Sequence, residues 1–269
     1  MDFEQIIYDK TDGIATITLN RPERMNAFTA KMIDEWYAAL LDAHADPDTK
    51  VVIVTGAGNR GFCTGADVGG KGPLGGLQNA KRTPVENRNF LRDGVQRIPR
   101  LVSLMEKPYI AAVNGAAVGA GMDMGSMCDI RFAAESARFG MTYVRMGIIP
   151  GDGGAYYLPR IVGTARALDL IWTGRLFDAR EALAIGYVSK VVPDDELINF
   201  TREYALKLAK GPAVAIQLAK RLVYRSAHTD VDGALDLAQQ AMYIAQGTED
   251  AVEGPRAFAE KREPDFKGR

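Results

Sequence analysis

Two glycine-rich segments, each placed directly behind an apolar, β-branched run, constrain this chain more than any other feature. The first, Gly61-Phe62-Cys63-Thr64-Gly65-Ala66-Asp67, follows Val51-Val52-Ile53-Val54-Thr55. The second, Val113-Asn114-Gly115-Ala116-Ala117-Val118-Gly119-Ala120-Gly121-Met122-Asp123, continues the run Tyr109-Ile110-Ala111-Ala112 and leads into a helix-compatible stretch. Glycine reaches backbone conformations closed to other residues, and small neighbours such as Ala66 and Ala120 let a ligand oxygen approach the main chain. Two N–H groups converging on one oxygen would stabilise negative charge developing there. The competing reading, for either segment alone, is a tight strand exit that uses glycine only for its φ freedom.

Around these turns, strand and helix signals interleave through the first two thirds of the chain. Ala15, Ile17 and Leu19 alternate with Thr16 and Thr18, which predicts a half-buried strand over 14–19 ending at Asn20-Arg21-Pro22. Met32, Trp36 and Leu40 recur at helical spacing until Asp46-Pro47. Strands are expected over 51–55, 110–113 and 129–133, with a short helix over 120–127. Glycines and a proline interrupt every periodicity from Gly69 to Pro84, which reads as a mobile surface loop, and helical spacing resumes from Arg88 to Met105. After Val192-Pro193 the spacing is helical throughout, over 196–210, 213–225, 231–246 and 249–262. The expected organisation is therefore an interleaved body, 1–195, and an all-helical region, 196–269.

Several function classes lose support on composition and local pattern. The 269 residues are 47% hydrophobic and 25% charged, enough to bury a full core, and the net charge of -1 leaves no electrostatic footprint for nucleic acid or an anionic membrane. Met1-Asp2-Phe3-Glu4-Gln5 carries two acids and no apolar run, so no signal or transit peptide is expected and the cytoplasm is the default compartment. Cys63 and Cys128 read as free, packed thiols. Gly56-Ala57-Gly58-Asn59-Arg60-Gly61 matches a dinucleotide fingerprint, but the glycines that follow forbid the helix it must open. Gly65 to Lys71 nearly spells a phosphate loop, yet Gly72 stands where Ser or Thr is required and Asp67 would place a negative charge in the cradle. His44 and His228 sit in surface settings without a triad or metal-ligand pattern, and Lys81-Arg82 and Lys220-Arg221 read as solvated faces. No metal site is expected.

With Asn20-Arg21-Pro22-Glu23-Arg24-Met25-Asn26-Ala27 upstream and Phe139-Gly140 and Pro150-Gly151-Asp152-Gly153-Gly154 downstream, the chain closely resembles the crotonase family, the enoyl-CoA hydratases and isomerases. The resemblance runs from about Ile14 to Lys267, with the motifs in the family order. It implies an α/β fold, a spiral of ββα repeats carrying the active site, with C-terminal helices that build trimers, often paired into hexamers. It implies an acyl-CoA thioester substrate, CoA being part of that substrate and not a separate cofactor. By the same resemblance, Ala66 and Ala120 N–H groups form an oxyanion hole for a thioester enolate. CoA is held near Met25, Ala27, Ala66, Asp67 and Val68, while Phe258 and Lys261 approach its adenine and phosphates from a neighbouring subunit.

The residues that would move protons depart from the family pattern. Typical hydratases carry glutamates at the positions matching Asp123 and Tyr143. Adding water across a double bond needs one group to polarise the water and another to deliver a proton to Cα. Asp123 can accept a proton; Tyr143, with an ordinary pKa near 10, is a poor base at neutral pH. Asp152 is the nearest acid that could supplement Asp123. Competing structural roles are a first-turn acid favoured by the helix dipole for Asp123, and a helix cap for Asp152. Hydration or isomerisation of an enoyl-CoA is the leading expectation. C–C bond hydrolysis or decarboxylation of an acyl-CoA, needing only one acid and a tyrosine, is a same-fold alternative, and a non-catalytic binding scaffold is another.

Overall fold

The structure, a computed structural model, describes residues 2–67 and 83–269. Asp12 and Gly13 both adopt positive φ, 56° and 75°, as a two-residue hairpin turn requires. They join β1 (Ile6–Thr11) to β2 (Ile14–Leu19) in antiparallel register, Thr11 opposite Ile14. The alternation over 14–19 predicts β2. β1 escapes that reading because only Ile6 of its six residues is buried, leaving no apolar alternation to see.

From β2 onward every pairing in the six-stranded sheet is parallel, in the order β1-β2-β3-β5-β7-β10, with β3 (Val51–Gly56), β5 (Tyr109–Val113), β7 (Ile130–Ala134) and β10 (Lys190–Val192). β3 and β5 are buried on both faces, which explains their uninterrupted apolar runs. Val52, Val54, Ala111 and Val113 enter the main core, to which α1 (Ala30–Ala45) adds Met32, Trp36 and Leu40. Val51, Ile53, Ile110, Ala112 and Phe132 face the other way and meet Leu197, Phe200, Tyr204 and Ala205 of α8 (Leu197–Ala209). Phe132 packs edge-on to Phe200 and Tyr204, centroids 5.0 and 5.1 Å away. Trp36 Nε1 donates to Tyr109 Oη at 3.1 Å, tying α1 to β5. Buried Lys107 donates to the carbonyls of Ala43, His44 and Asp46 and closes the end of α1.

Each of β3, β5 and β7 is followed by a three-residue strand in a second sheet: β4 (Gly61–Cys63), β6 (Ala116–Val118) and β8 (Arg138–Gly140), with β9 (Phe177–Asp178) antiparallel at the edge. Helices follow each pair: α2 (Pro84–Asp93) and α3 (Arg97–Val102), then α4 (Ala120–Ser126), then α5 (Gly154–Val162) and α6 (Thr164–Thr173). This is the ββα spiral. The short strands carry too few residues for a period-2 signal, so the sequence reads them as turns. The expected loop over 69–84 lies outside the described residues except at its end, where Pro84 opens α2 under a Thr83–Glu86 capping box. The single helix expected over 88–105 is divided at Gly94.

After α7 (Ala179–Ala184) and α8, the chain forms α9 (Ala213–Ser226), α10 (Val231–Gln246) and α11 (Glu249–Glu260). Lys220 is not a solvated charge. Its Nζ lies 2.8 Å from both the Asp129 carboxylate and the Lys107 carbonyl, seating α9 on the body. His44 and His228 are exposed, the latter 3.2 Å from Tyr156 Oη. Among the described residues no helix is long and apolar enough to cross a membrane, and no group of acidic, His or Cys side chains is placed to hold a metal.

Fully buried Asn26 holds the loop after β2 in place. Its Oδ1 accepts from Arg21 N–H at 2.9 Å, and its Nδ2 donates to Ala57 O at 3.0 Å and Gly61 O at 2.7 Å. The chain from Gly56 to Gly61 thus turns from β3 into β4, and no helix opens there as a dinucleotide site would need. Asn26→Ala strands these buried partners and should lower stability by about 2–4 kcal/mol. The check is the urea midpoint at unchanged slope; a shift below about 0.5 kcal/mol would overturn this role for the amide.

Candidate active site

Because β4, β6 and β8 run parallel and side by side, their carboxyl ends open on one side of the small sheet. The segments that follow them, Thr64 to Asp67, Gly119 to Asp123 and Met141 to Tyr143, are thereby gathered. The approach of the first two is close. A Cβ on Gly121 would sit 1.9 Å from Cys63 O, and one on Gly65 3.2 Å from Ala120 N. Only glycine at 121 lets the β4 exit lie against the first turn of α4.

Each of these turns frees one donor. Phe28 N–H donates to Gly65 O at 2.8 Å, and Asp67 N–H donates to Phe28 O at 2.9 Å, a parallel bridge that brackets Ala66 and turns its own N–H to the opposite side. Ala120 is the first residue of α4, where an N–H has no acceptor within the helix and the helix dipole is positive. The helix itself is held from behind. Tyr187 Oη meets Met122 O and Ser126 Oγ at 3.1 and 3.0 Å, and buried Arg131 donates to the carbonyls of Tyr187 and Cys128.

Asp123, one turn into α4, is fully buried. Tyr143 Oη donates to its Oδ2 at 2.7 Å and lies 3.2 Å from Oδ2 of Asp152, so the two carboxylate oxygens are within about 6 Å of each other. The competing capping role of Asp152 is not filled: α5 starts at Gly154, with Gly153 as its N-cap and no side-chain cap. The remaining oxygens, Asp123 Oδ1 and Asp152 Oδ1, are buried with no hydrogen-bond partner among the described residues. A Cβ on Gly154 would come 2.0 Å from Asp123 Oδ1, so glycine there makes room for the carboxylate.

Burial shifts both acids upward. Asp123 is pushed up to about 7, chiefly by loss of solvation and further by the Asp152 charge, against the Tyr143 hydrogen bond and the N–H dipoles of Gly154 and Asp152. Asp152 is pushed up to about 6, again by burial, with the Tyr143 hydrogen bond opposing. The Tyr143 phenol is held far above its ordinary value by burial and by both carboxylates, so it stays protonated.

The other expected residues lie in two places. Met25, at φ 49°, and Ala27 line the loop that Asn26 anchors, where Met25 N–H donates to Pro22 O, Ala27 N–H to Arg24 O, and Arg21 donates to Ala27 O at 2.6 Å. Arg21 also pairs with Asp67 at 2.9 Å, both side chains largely buried, which gives the Asn20-Arg21-Pro22 motif a physical purpose the sequence reading left unassigned. Val68 lies outside the described residues, as do Lys81-Arg82 and most of the near-phosphate loop. Phe258, 87% exposed, and Lys261, in a left-handed helix end, lie on α11. Sequence reasoning also missed Gln96, whose Nε2 donates to Gly151 O at 2.7 Å and fixes the Asp152 loop; nothing in the local pattern marks it.

Known proteins resemble this one over its full length. A family model described as Enoyl-CoA hydratase/isomerase matches residues 9–269. Crotonyl-CoA hydratase of Syntrophomonas wolfei is 37% identical, over 99% of both chains. Short-chain-enoyl-CoA hydratase of Clostridium acetobutylicum is 37% identical, over 100% of both. The crystal structure of an enoyl-CoA hydratase from Bacillus anthracis superposes with a TM-score of 0.91 at 36% identity, covering 99% of this chain and 100% of that one.

The raised acids set a pH dependence of stability. A group whose folded-state pKa is raised contributes stability that is complete below its unfolded pKa and is lost as pH rises through the folded one. Here the loss runs from about pH 4 through 6 and 7. Asp123→Asn removes a buried charge, so the variant should be flatter from pH 5 to 8 and more stable than the wild type at pH 8, by about 1–3 kcal/mol. Thermal unfolding across that range tests it; a variant less stable at pH 8 would contradict the burial of an incompletely paired carboxylate.

Proposed function

The chain belongs to the enoyl-CoA hydratase/isomerase family, and from that membership we propose that its two buried aspartates add water across the double bond of a 2-enoyl-CoA thioester. The observation that carries this reading is the meeting of Asp123 and Asp152 on one tyrosine hydroxyl, one helical turn from Ala120. The N–H groups of Ala66 and Ala120 hold the thioester oxygen. Asp123 takes a proton from water as the water oxygen bonds to Cβ. The π electrons move onto the thioester as an enolate, whose oxygen the two N–H groups stabilise. Asp152 delivers a proton to Cα from its protonated form, the minor one near neutrality because its pKa lies below that of Asp123, so the product has gained one H and one OH.

Single-acid chemistry, whether C–C hydrolysis, decarboxylation or simple isomerisation, would leave Asp152 without a task, and its position 3.2 Å from Tyr143 Oη favours the two-acid reaction. The thioester is the electron sink, so the reaction as proposed draws on no separate cofactor; CoA enters as part of the substrate, along Met25, Ala27, Ala66, Asp67 and Val68. The region 196–269 is proposed as the oligomerisation element beside a catalytic body, 1–195. Val223, Val231, Tyr243, Val252 and Phe258 expose their apolar side chains on α9, α10 and α11, and a trimer or a pair of trimers would cover them and bring Phe258 and Lys261 to a neighbour's CoA. The free, buried thiols of Cys63 and Cys128 fit a reducing compartment, and the cytoplasm is the one proposed.

Asp123→Asn keeps the shape and removes the proton acceptor; hydration of crotonyl-CoA should fall by about 10²–10⁴ while CoA ligands still bind. Asp152→Asn should cost a comparable factor. Full hydration by both variants would sink the assignment. Sedimentation at micromolar concentration should give three or six subunits, and a stable, active monomer would overturn both the trimer and the role given to Lys261.

A further inference from the structure

Tyr143 Oη stands 2.7 Å from Asp123 Oδ2 and 3.2 Å from Asp152 Oδ2, yet a phenol has one proton to donate. Given to Asp123, that proton leaves the contact with Asp152 to be bridged from the other side, by a carboxylic acid proton donated to Tyr143 Oη. Without that second proton, two oxygen lone pairs would face each other in a site shielded from water. When Asp152 carries that second proton, the three side chains form a chain of two O–H groups in one direction, Asp152 to Tyr143 to Asp123.

We propose that Tyr143 returns the catalytic proton from Asp123 to Asp152 after each turnover. This rests on hydration by the aspartate pair. At the end of the forward reaction Asp123 holds the proton taken from water, and Asp152 has lost its own to Cα. A half-turn of the Asp123 carboxyl about its last torsion, which is two-fold and soft, brings the new O–H onto Tyr143. The Asp123 proton then moves to Tyr143 Oη while the Tyr143 proton moves to Asp152: two O–H bonds break, two form, and the phenol never carries a charge. That concerted exchange suits a phenol held far above its ordinary ionisation. It also avoids bulk solvent, from which Asp123, Tyr143 and Asp152 are 0%, 9% and 6% exposed.

Tyr143→Phe keeps the ring and removes the relay. In rapid-quench hydration of crotonyl-CoA, the first turnover should proceed within roughly threefold of the wild-type rate, as a burst of one product per site. The steady-state rate should then fall at least about tenfold, because the proton must exchange with solvent before the second turnover. The wild type should show no burst. A first turnover slowed as much as the steady state would overturn the relay and make Tyr143 a participant in, or a support for, the chemical step. An unchanged steady state would overturn it as well. Single-turnover rates of Asp123→Asn and Asp152→Asn separate this from the underlying reading: if both keep a wild-type first turnover, hydration by the pair fails, whatever Tyr143 does.

Discussion

Everything in the site depends on how closely the exit of β4 approaches the first turn of α4. The carbonyl of Cys63 occupies the space where residue 121 would carry a Cβ. That contact sets the distance between two backbone donors that come from different repeats of the spiral. Rigid main chain is well suited to the purpose, because donors fixed before a charge develops need no reorganisation when it does. The scaffold supplies the rigidity. β4, β6 and β8 deliver their carboxyl ends to one side in parallel, and Tyr187 and Arg131 hold α4 from behind through bonds to the carbonyls of Met122 and Gly125.

The same geometry buries two carboxylates around one phenol. Such a cluster costs stability: each acid is desolvated, each keeps an oxygen without a partner among the described residues, and both turn to the same phenol. Two hydrophobic cores offset that cost elsewhere, with the parallel sheet covered on one face by α1 and on the other by α8. Incomplete pairing concentrated at one point of an otherwise consistent structure is what the proposed site rests on. The asymmetry between Asp123, pushed up further, and Asp152, which the tyrosine reaches less closely, comes from position in the fold.

Much of this was legible in the chain. The two glycine turns, the Asn20-Arg21-Pro22 motif and Pro150-Gly151-Asp152-Gly153-Gly154 are local signals, because a backbone that must turn tightly or approach another backbone requires particular residues at particular places. Strand β2 and helix α1 declare themselves through burial periodicity, and β3 and β5 through unbroken apolar runs. Other features have no local signature. β1 faces solvent along most of its length, β4, β6 and β8 are three residues each, and Lys220 looks like any surface lysine until α9 docks on Asp129.

By itself, then, the sequence determined where the longer buried strands lie, where the main chain must be glycine, and which few acids and hydroxyls stand in the turns where chemistry would be done. It could not determine how those side chains pair. Asp123 and Asp152 are twenty-nine residues apart in the chain and come to one hydroxyl only because β8 lies beside β6 and α5 folds back over α4; Asp152, equally suited by type and position to cap a helix, is drawn to Tyr143 instead. The physical reason is range: backbone conformation is set by each residue and its near neighbours, whereas burial, pKa and hydrogen-bond partnership are set by whatever distant segment the packed fold brings alongside.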